Sequence, residues 1–288
     1  MQECHFEYTE TYKEGDQTKT RTRTARASET FVKRSYQIYS YKCTLANGSF
    51  CFPFSFAIDS NLPGTFECSG HSHGASVYYE LEAEVAVPGM LTPNLRHNQE
   101  LIINQPLGQQ MAATETFKQA KVTFLCCIPK GEVSMAANID RNAYAPGDQV
   151  NLRLQVDNSH SQVNLEAASL KLQRTLTLRA EGRSFSTTET VCKAKSMAIT
   201  AGEKADRFIQ IAIPGKAEPS TDGSLVRHSY ELEVCLSVPW SPNVRINQPV
   251  QIYQPARPTF VAVPVMPPNW QPQTMPMVQL DKMAYQTF

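Results

Sequence analysis

The chain has 288 residues, with 27 Lys+Arg against 27 Asp+Glu and only 19% charged residues. At roughly 150 residues per domain, that length suggests two domains. A neutral chain has no global field to draw it onto nucleic acid or anionic lipid, which argues against a nucleic-acid binder, and no apolar run approaches the roughly 18 residues of a membrane span.

The first expected element is a strand over Cys4–Tyr12, with Cys4, Phe6, Tyr8 and Tyr12 on one face. The start, Met1–Glu7, has neither the basic flank nor the apolar core of a secretory signal. Next, Thr18–Arg26 alternates Thr with base, so a strand there places Lys19, Arg21 and Arg23 on one face. Such a row could contact a phosphate or another anion. The favoured reading is plainer: a solvated edge hairpin whose cations discourage edge-to-edge pairing. Asn47-Gly48 marks a hairpin turn, and Phe52–Ile58 reads as an apolar strand.

Gly70-His71-Ser72-His73-Gly74 fits the nucleophile-elbow pattern, which would make Ser72 the nucleophile of a hydrolase. That motif needs a strand leading in and a helix leading out. Here the exit runs into an expected strand over Val77–Val87, so a hairpin loop is preferred. Cys68, His71 and His73 offer three zinc-type ligands, but no fourth ligand or second pair stands at a defined spacing, and no metal or other cofactor is expected. Gln109–Gln119 is the only stretch with helical character, and that character is weak.

Beyond it, Met135–Ile139, Val150–Val156, Leu170–Leu178, Ile209–Ile213 and Tyr230–Val238 alternate apolar and polar residues, as half-buried strands do. Turn signals such as Ala145-Pro146-Gly147-Asp148 and Ile213-Pro214-Gly215 separate them. Many short antiparallel strands predict an all-β fold of two stacked-sheet sandwiches. Residues 255–288 contain seven prolines and no sustained period, as expected of a flexible appendage. The eight cysteines show no framework spacing and read as free thiols of a cytosolic protein.

Two landmarks recur in order. Tyr79–Pro88 returns as Tyr230–Pro239 at an offset of 151, and Asn104-Gln105-Pro106-Leu107 returns as Asn247-Gln248-Pro249-Val250. In the same alignment Cys4–Tyr12 stands where Leu170–Leu178 stands, and Phe52–Ile58 where Phe208–Ile213 stands. The implied domains are residues 1–112 and 113–254, followed by the tail 255–288. Two strands precede Leu170 in the second repeat, whereas almost nothing precedes Cys4. The first sandwich is therefore expected to lack about two N-terminal strands and to carry an open sheet edge.

The segment Gly131–Asp148, with Asp140-Arg141, Tyr144 and Pro146-Gly147-Asp148, is similar to the opening of the C-terminal arrestin domain. Phe52-Pro53-Phe54-Ser55-Phe56 and Gly74–Leu81 resemble the N-terminal arrestin domain. The resemblance covers residues 1–254 and points to arrestin-domain-containing proteins, the α-arrestins. It implies two tandem immunoglobulin-like sandwiches forming a cytosolic, non-enzymatic adaptor. Such an adaptor binds membrane cargo or receptor tails at the plasma membrane or endosomes and links them to endocytic trafficking or ubiquitination machinery. An arrestin-like coat or retromer-type subunit of a stable sorting complex is the alternative. The α-arrestins recruit WW-domain ubiquitin ligases through Pro-Pro-x-Tyr; this tail offers Pro267-Pro268-Asn269-Trp270, with Trp in the Tyr position. Tyr285-Gln286-Thr287-Phe288 matches a Tyr-x-x-apolar sorting pattern of the kind a clathrin-type adaptor reads.

Overall fold

Period-two alternation dominates the chain, and every named element of the computed structural model is a β-strand. The structure describes residues 1–40, 48–87, 89, 92–105, 113–124, 128–255 and 273–280. The strands are β1 (Gln2–Glu14), β2 (Gln17–Glu29), β3 (Phe50–Cys51), β4 (Phe54–Ser55), β5 (Phe66–Ser69), β6 (His73–Val77), β7 (Tyr79–Val85), β8 (Leu95–Leu101), β9 (Thr114–Phe124) and β10 (Ile128–Ile139). They continue with β11 (Ala143–Tyr144), β12 (Gln149–Asp157), β13 (Ala167–Ala180), β14 (Arg183–Lys195), β15 (Lys204–Ala212), β16 (Thr221–Asp222), β17 (Val226–Ser237), β18 (Val244–Ile252), β19 (Gln273–Thr274) and β20 (Val278–Gln279).

Residues 1–29 and 63–255 form one unit. Its second repeat is a two-layer sandwich, in which one sheet runs β15-β12-β10-β9 and the other β11-β18-β17-β13-β14, with β16 on β17. Alternate residues of each strand meet between the layers, where Leu152, Leu154, Leu170, Leu172, Leu232 and Val234 are fully buried. The weak helical signal over 109–119 is overturned in its described part: β9 begins at Thr114 and pairs antiparallel with β10, as its β-branched Thr114, Thr116, Val122 and Thr123 favour.

The motif from Asp140 to Asp148 folds into a pinned corner. The Tyr144 hydroxyl donates to Asp140 Oδ1 at 2.8 Å, and the same carboxylate accepts from Asn151 N–H at 3.1 Å. Asp148 Oδ2 accepts from Ala145 N–H at 2.9 Å, and Arg141 lies over the Tyr144 ring at 4.9 Å. Tyr144 is fully buried, and burial, then the Asp140 bond, pushes its hydroxyl far above the ordinary tyrosine range.

The first repeat is built differently. Its main sheet runs β2-β1-β6-β5, and the hairpin β7–β8 stands apart from it. The register of that hairpin corrects the second landmark of the repeat: Asn98-Gln99, opposite Glu82 and Leu81, stand where Asn247-Gln248 stand opposite Glu233 and Leu232, so Asn104-Gln105 is not their counterpart. The apolar face of the main sheet is covered by the far half of the second repeat's long strands. Phe6 stacks on Phe185 of β14 at 5.7 Å, and Phe66 packs on His228 of β17 at 4.7 Å. The Cys4 thiol donates to the Arg179 carbonyl at 3.4 Å, and Thr221 Oγ1 donates to the Gly64 carbonyl at 2.8 Å. Phe6, Phe66, Val77, Leu178 and Val226 are buried at that contact. The long strands β13 and β17 therefore serve two cores on one face, one for each repeat.

Residues 30–62 and 256–288 form a second unit. Among its described residues β3 pairs with β19 and β4 with β20, both in parallel. Of the expected strand over Phe52–Ile58 only Phe54–Ser55 is paired, and Pro53, which has no N–H for a ladder, lies between it and Phe50–Cys51. Where the sequence suggested a tail that joins no ladder, Met275 N–H donates to the Cys51 carbonyl at 2.9 Å and Val278 N–H to the Pro53 carbonyl at 3.1 Å.

Candidate functional site

The hairpin of β1 and β2 turns at Gly15-Asp16, where Gly15 has φ +63°. Only glycine adopts that left-handed conformation without strain, and the two-residue loop fixes the register of both strands. Glu10 consequently lies opposite Arg21, Tyr8 opposite Arg23, and Tyr12 opposite Lys19. All six side chains share the face that, nearer the N-terminus, carries Phe6 and Cys4. Beyond Phe6 the hairpin outruns the sheet beneath it, so this face turns polar and half-exposed.

The three cations predicted from sequence are therefore brought together, but not as a bare basic row. Arg21 Nε donates to Glu10 Oε2 at 2.7 Å, Arg23 Nε reaches the same oxygen at 2.9 Å, and Lys19 pairs with Glu14 at 2.7 Å. Arg21 also lies over the Tyr12 ring at 5.0 Å. A fourth cation arrives from the second repeat. The β13–β14 hairpin turns at Glu181-Gly182, both with positive φ, and places Arg183 over the Tyr8 ring at 4.0 Å. The Arg21 hydrogen bond holds the Glu10 carboxylate below its usual range; partial desolvation opposes this, and the fields of Arg21, Arg23 and Arg183 assist. Three guanidiniums thus gather round one carboxylate.

β2 is an edge strand of its sheet. Near its end the Arg26 N–H donates to Glu181 Oε1 at 3.2 Å. Upstream, among the described residues, no strand pairs with the outer edge of β2. An edge strand offers backbone donors and acceptors to an extended peptide, and guanidiniums offer paired N–H groups to an anion.

Sequence reasoning missed Glu10 and Arg183. Glu10 was discoverable by counting outward from Gly15 across the hairpin. Arg183 carried no local signal, because it reaches the site only through packing of the two repeats. Of the other sequence candidates, Pro267, Pro268, Trp270, Tyr285 and Phe288 lie outside the described residues. Ser72 sits between β5 and β6, which pair antiparallel from Ser69 opposite Gly74, so strand leads to strand where an elbow needs a helix. Burial pushes the nearby Cys68 thiol up to about 11, and the His73 ring packs tilted against Phe185 at 4.9 Å. Among the described residues no group of three or more His, Cys, Asp or Glu is placed to hold a metal, and no helix is long and apolar enough to cross a membrane.

Comparison with known families is decisive. Residues 2–108 match the arrestin (or S-antigen) N-terminal domain, and residues 129–257 match the arrestin (or S-antigen) C-terminal domain. The chain belongs to the arrestin family. Its arrestin relatives include arrestin domain-containing protein A of Dictyostelium discoideum, 26% identical over 91% of this chain and 45% of that protein. Human thioredoxin-interacting protein is 27% identical over 70% of this chain and 51% of its own length. The chain spans about half the length of these curated relatives. Among solved structures, sporulation control protein Spo0M of Bacillus subtilis aligns over 42% of this chain and 49% of that one, with a TM-score of 0.35 and 14% identity, too little to carry an inference.

Proposed function

We propose that this arrestin-family chain is a non-enzymatic adaptor that captures the cytoplasmic tail of membrane cargo and links it to endocytic trafficking or ubiquitination machinery. The observation that carries the reading is the edge strand β2 with Arg21, Arg23 and Arg183 converging beside it. A cargo tail adds as an extended strand along that edge, and a phosphate on the tail replaces Glu10 among the guanidiniums. The exchange is favourable because exposed ion pairs contribute little, whereas a dianionic phosphate brings more charge and more acceptor oxygens.

The test uses a fluorescent synthetic peptide of alternating Val and phosphothreonine, with its unphosphorylated twin as control. Arg21→Ala/Arg23→Ala should weaken the phosphorylated peptide roughly tenfold or more, as expected for lost charge-assisted hydrogen bonds. Arg183→Ala should weaken it less, and Glu10→Gln should tighten it. Unchanged affinity in the double variant sinks the reading.

A further inference from the structure

The turn that carries Arg183 to the guanidinium cluster also makes a backbone contact with β2. Glu181-Gly182 joins β13 to β14 with φ +52° and +69°. Glycine enters that left-handed region freely, whereas a glutamate there is strained, and Asn, Asp or Gly is the usual first residue of such a turn. The Glu181 side chain has a use that none of those could fill at the same reach: its Oε1 accepts from the Arg26 N–H at 3.2 Å.

That bond lies on the outer edge of β2, and the hairpin geometry says which other groups share the edge. Across the two-residue turn at Gly15-Asp16, Glu14 and Gln17 form a hydrogen-bonded pair, and bonded and non-bonded pairs alternate from there. Gln17, Lys19, Arg21, Arg23 and Ala25 thus spend their backbone groups on β1. Thr18, Thr20, Thr22, Thr24 and Arg26 turn theirs outward, in keeping with the outward bond from Arg26 to Glu181. A strand added to β2 draws on those same N–H groups, so Glu181 Oε1 stands where the added strand's carbonyl oxygen would stand at Arg26. Farther along, Glu29 accepts from Gln2 Nε2 at 2.6 Å and from Ser224 Oγ, so a second turn of the second repeat, between β16 and β17, holds the end of the strand.

Resting on the capture of a phosphorylated tail proposed above, we propose that Glu181 is a specificity-determining stop: the captured tail pairs with β2 from Thr18 to Thr24 and leaves it there. Tail side chains opposite Arg21 and Arg23 share the guanidinium face. Arg21 is the midpoint of the Thr18–Thr24 span and Arg23 lies one residue from its end. The fitting partner is therefore a short extended segment with a phosphorylated residue at or just past its middle, and its chain turns away from β2 at the Glu181 end.

The experiment uses the 288-residue chain and fluorescent peptides of alternating Val and Thr with a single phosphothreonine, which anchors the register. Affinity should rise until the peptide spans Thr18–Thr24, then stay within about twofold on further growth at either end, less than one added hydrogen bond would give. Hydrogen exchange at Thr20, Thr22 and Thr24 should slow on binding, while that at Arg26 should not change. Glu181→Gly suits the left-handed turn and frees the Arg26 N–H. In that variant further growth at one end should strengthen binding about threefold or more, and the longer peptide should protect Arg26. Glu181→Gln keeps an acceptor oxygen and should keep the wild-type plateau. The ratio of long to short peptide within each variant is the readout, so a shift in the contribution of Arg183 cancels. A purely structural role for Glu181 would alter thermal unfolding and leave that ratio alone. Affinity that keeps climbing with length in the wild type, peptide protection of its Arg26 amide, or a plateau unmoved by Glu181→Gly overturns the stop while leaving capture at the edge intact. If no phosphorylated peptide binds, the capture reading fails and the stop falls with it.

Discussion

The strand pairs β7–β8 and β17–β18 share a residue pattern, a register and an antiparallel hairpin, yet their fates differ. In β17–β18 the alternating side chains meet the β10–β12 sheet and vanish from solvent, while in β7–β8 the equivalent side chains remain open towards the tip. The main sheet of the first repeat is neither case, because its apolar face is buried by strands belonging to the second repeat. Alternation thus specifies which face of a strand is to be buried. What buries it is a separate matter, settled by whichever apolar layer the chain brings opposite.

That comparison can be broken most sharply at the borrowed cover. Phe6→Ala removes the ring that stacks on Phe185 and should cost about 3–5 kcal/mol in urea unfolding; a loss below about 1 kcal/mol would mean that the first sheet draws no core from the second repeat. Next come the paired positions of the two hairpins. Leu236→Ala should cost about 2–5 kcal/mol, whereas Val85→Ala, its repeat equivalent, should stay within about 0.5 kcal/mol. Equal losses at the two sites would erase the distinction drawn between them. A smaller effect is expected at the Asp140–Tyr144 corner of the second repeat: Tyr144→Phe deletes one hydrogen bond and should cost about 0.5–1.5 kcal/mol by the same measurement.

The smallest effect concerns pH and the seam between the repeats. His228 is 2% exposed, packs on Phe66, and donates from Nδ1–H to the Pro219 carbonyl at 2.9 Å. Burial holds its imidazole below the ordinary range, opposed by the Pro219 contact and the Glu218 carboxylate. The unfolded chain then binds a proton below about pH 6.5 that the folded chain refuses. This contribution to stability is complete above that pH and is lost progressively as pH falls through it towards the lower folded value. Thermal midpoints at pH 7.5 and 5.5 should therefore differ less in His228→Gln than in the wild type; an unchanged difference would remove His228 from the seam's pH response.

Much of the molecule was legible beforehand, for identifiable reasons. Strands such as Val150–Val156 alternate cleanly because each has one wet and one dry face; Tyr230–Val238 keeps the alternation although Glu233 and Cys235 on its other face are buried as well. The repeat was visible because Tyr79–Val85 and Tyr230–Leu236 keep the same pattern whether or not they are covered. Lys19, Arg21 and Arg23 could be placed on one face by parity alone. The helical hint before Gln119 misled because Thr114 and Thr116 gain more from the ladder with β10 than from any local helix. Neither the pairing of Gln273–Thr274 and Val278–Gln279 nor the arrival of Arg183 beside Tyr8 leaves a periodic trace.

By itself the sequence determined the all-β class, the tandem repeat and the turn glycines, since these depend on local geometry and on side-chain parity along a strand. Tertiary structure alone decided that β13 and β17 would serve two cores, that Glu10 would sit among three guanidiniums, and that Val85 would stay exposed where Leu236 is sealed. Burial is a relation between two surfaces, and only folding determines which surfaces meet.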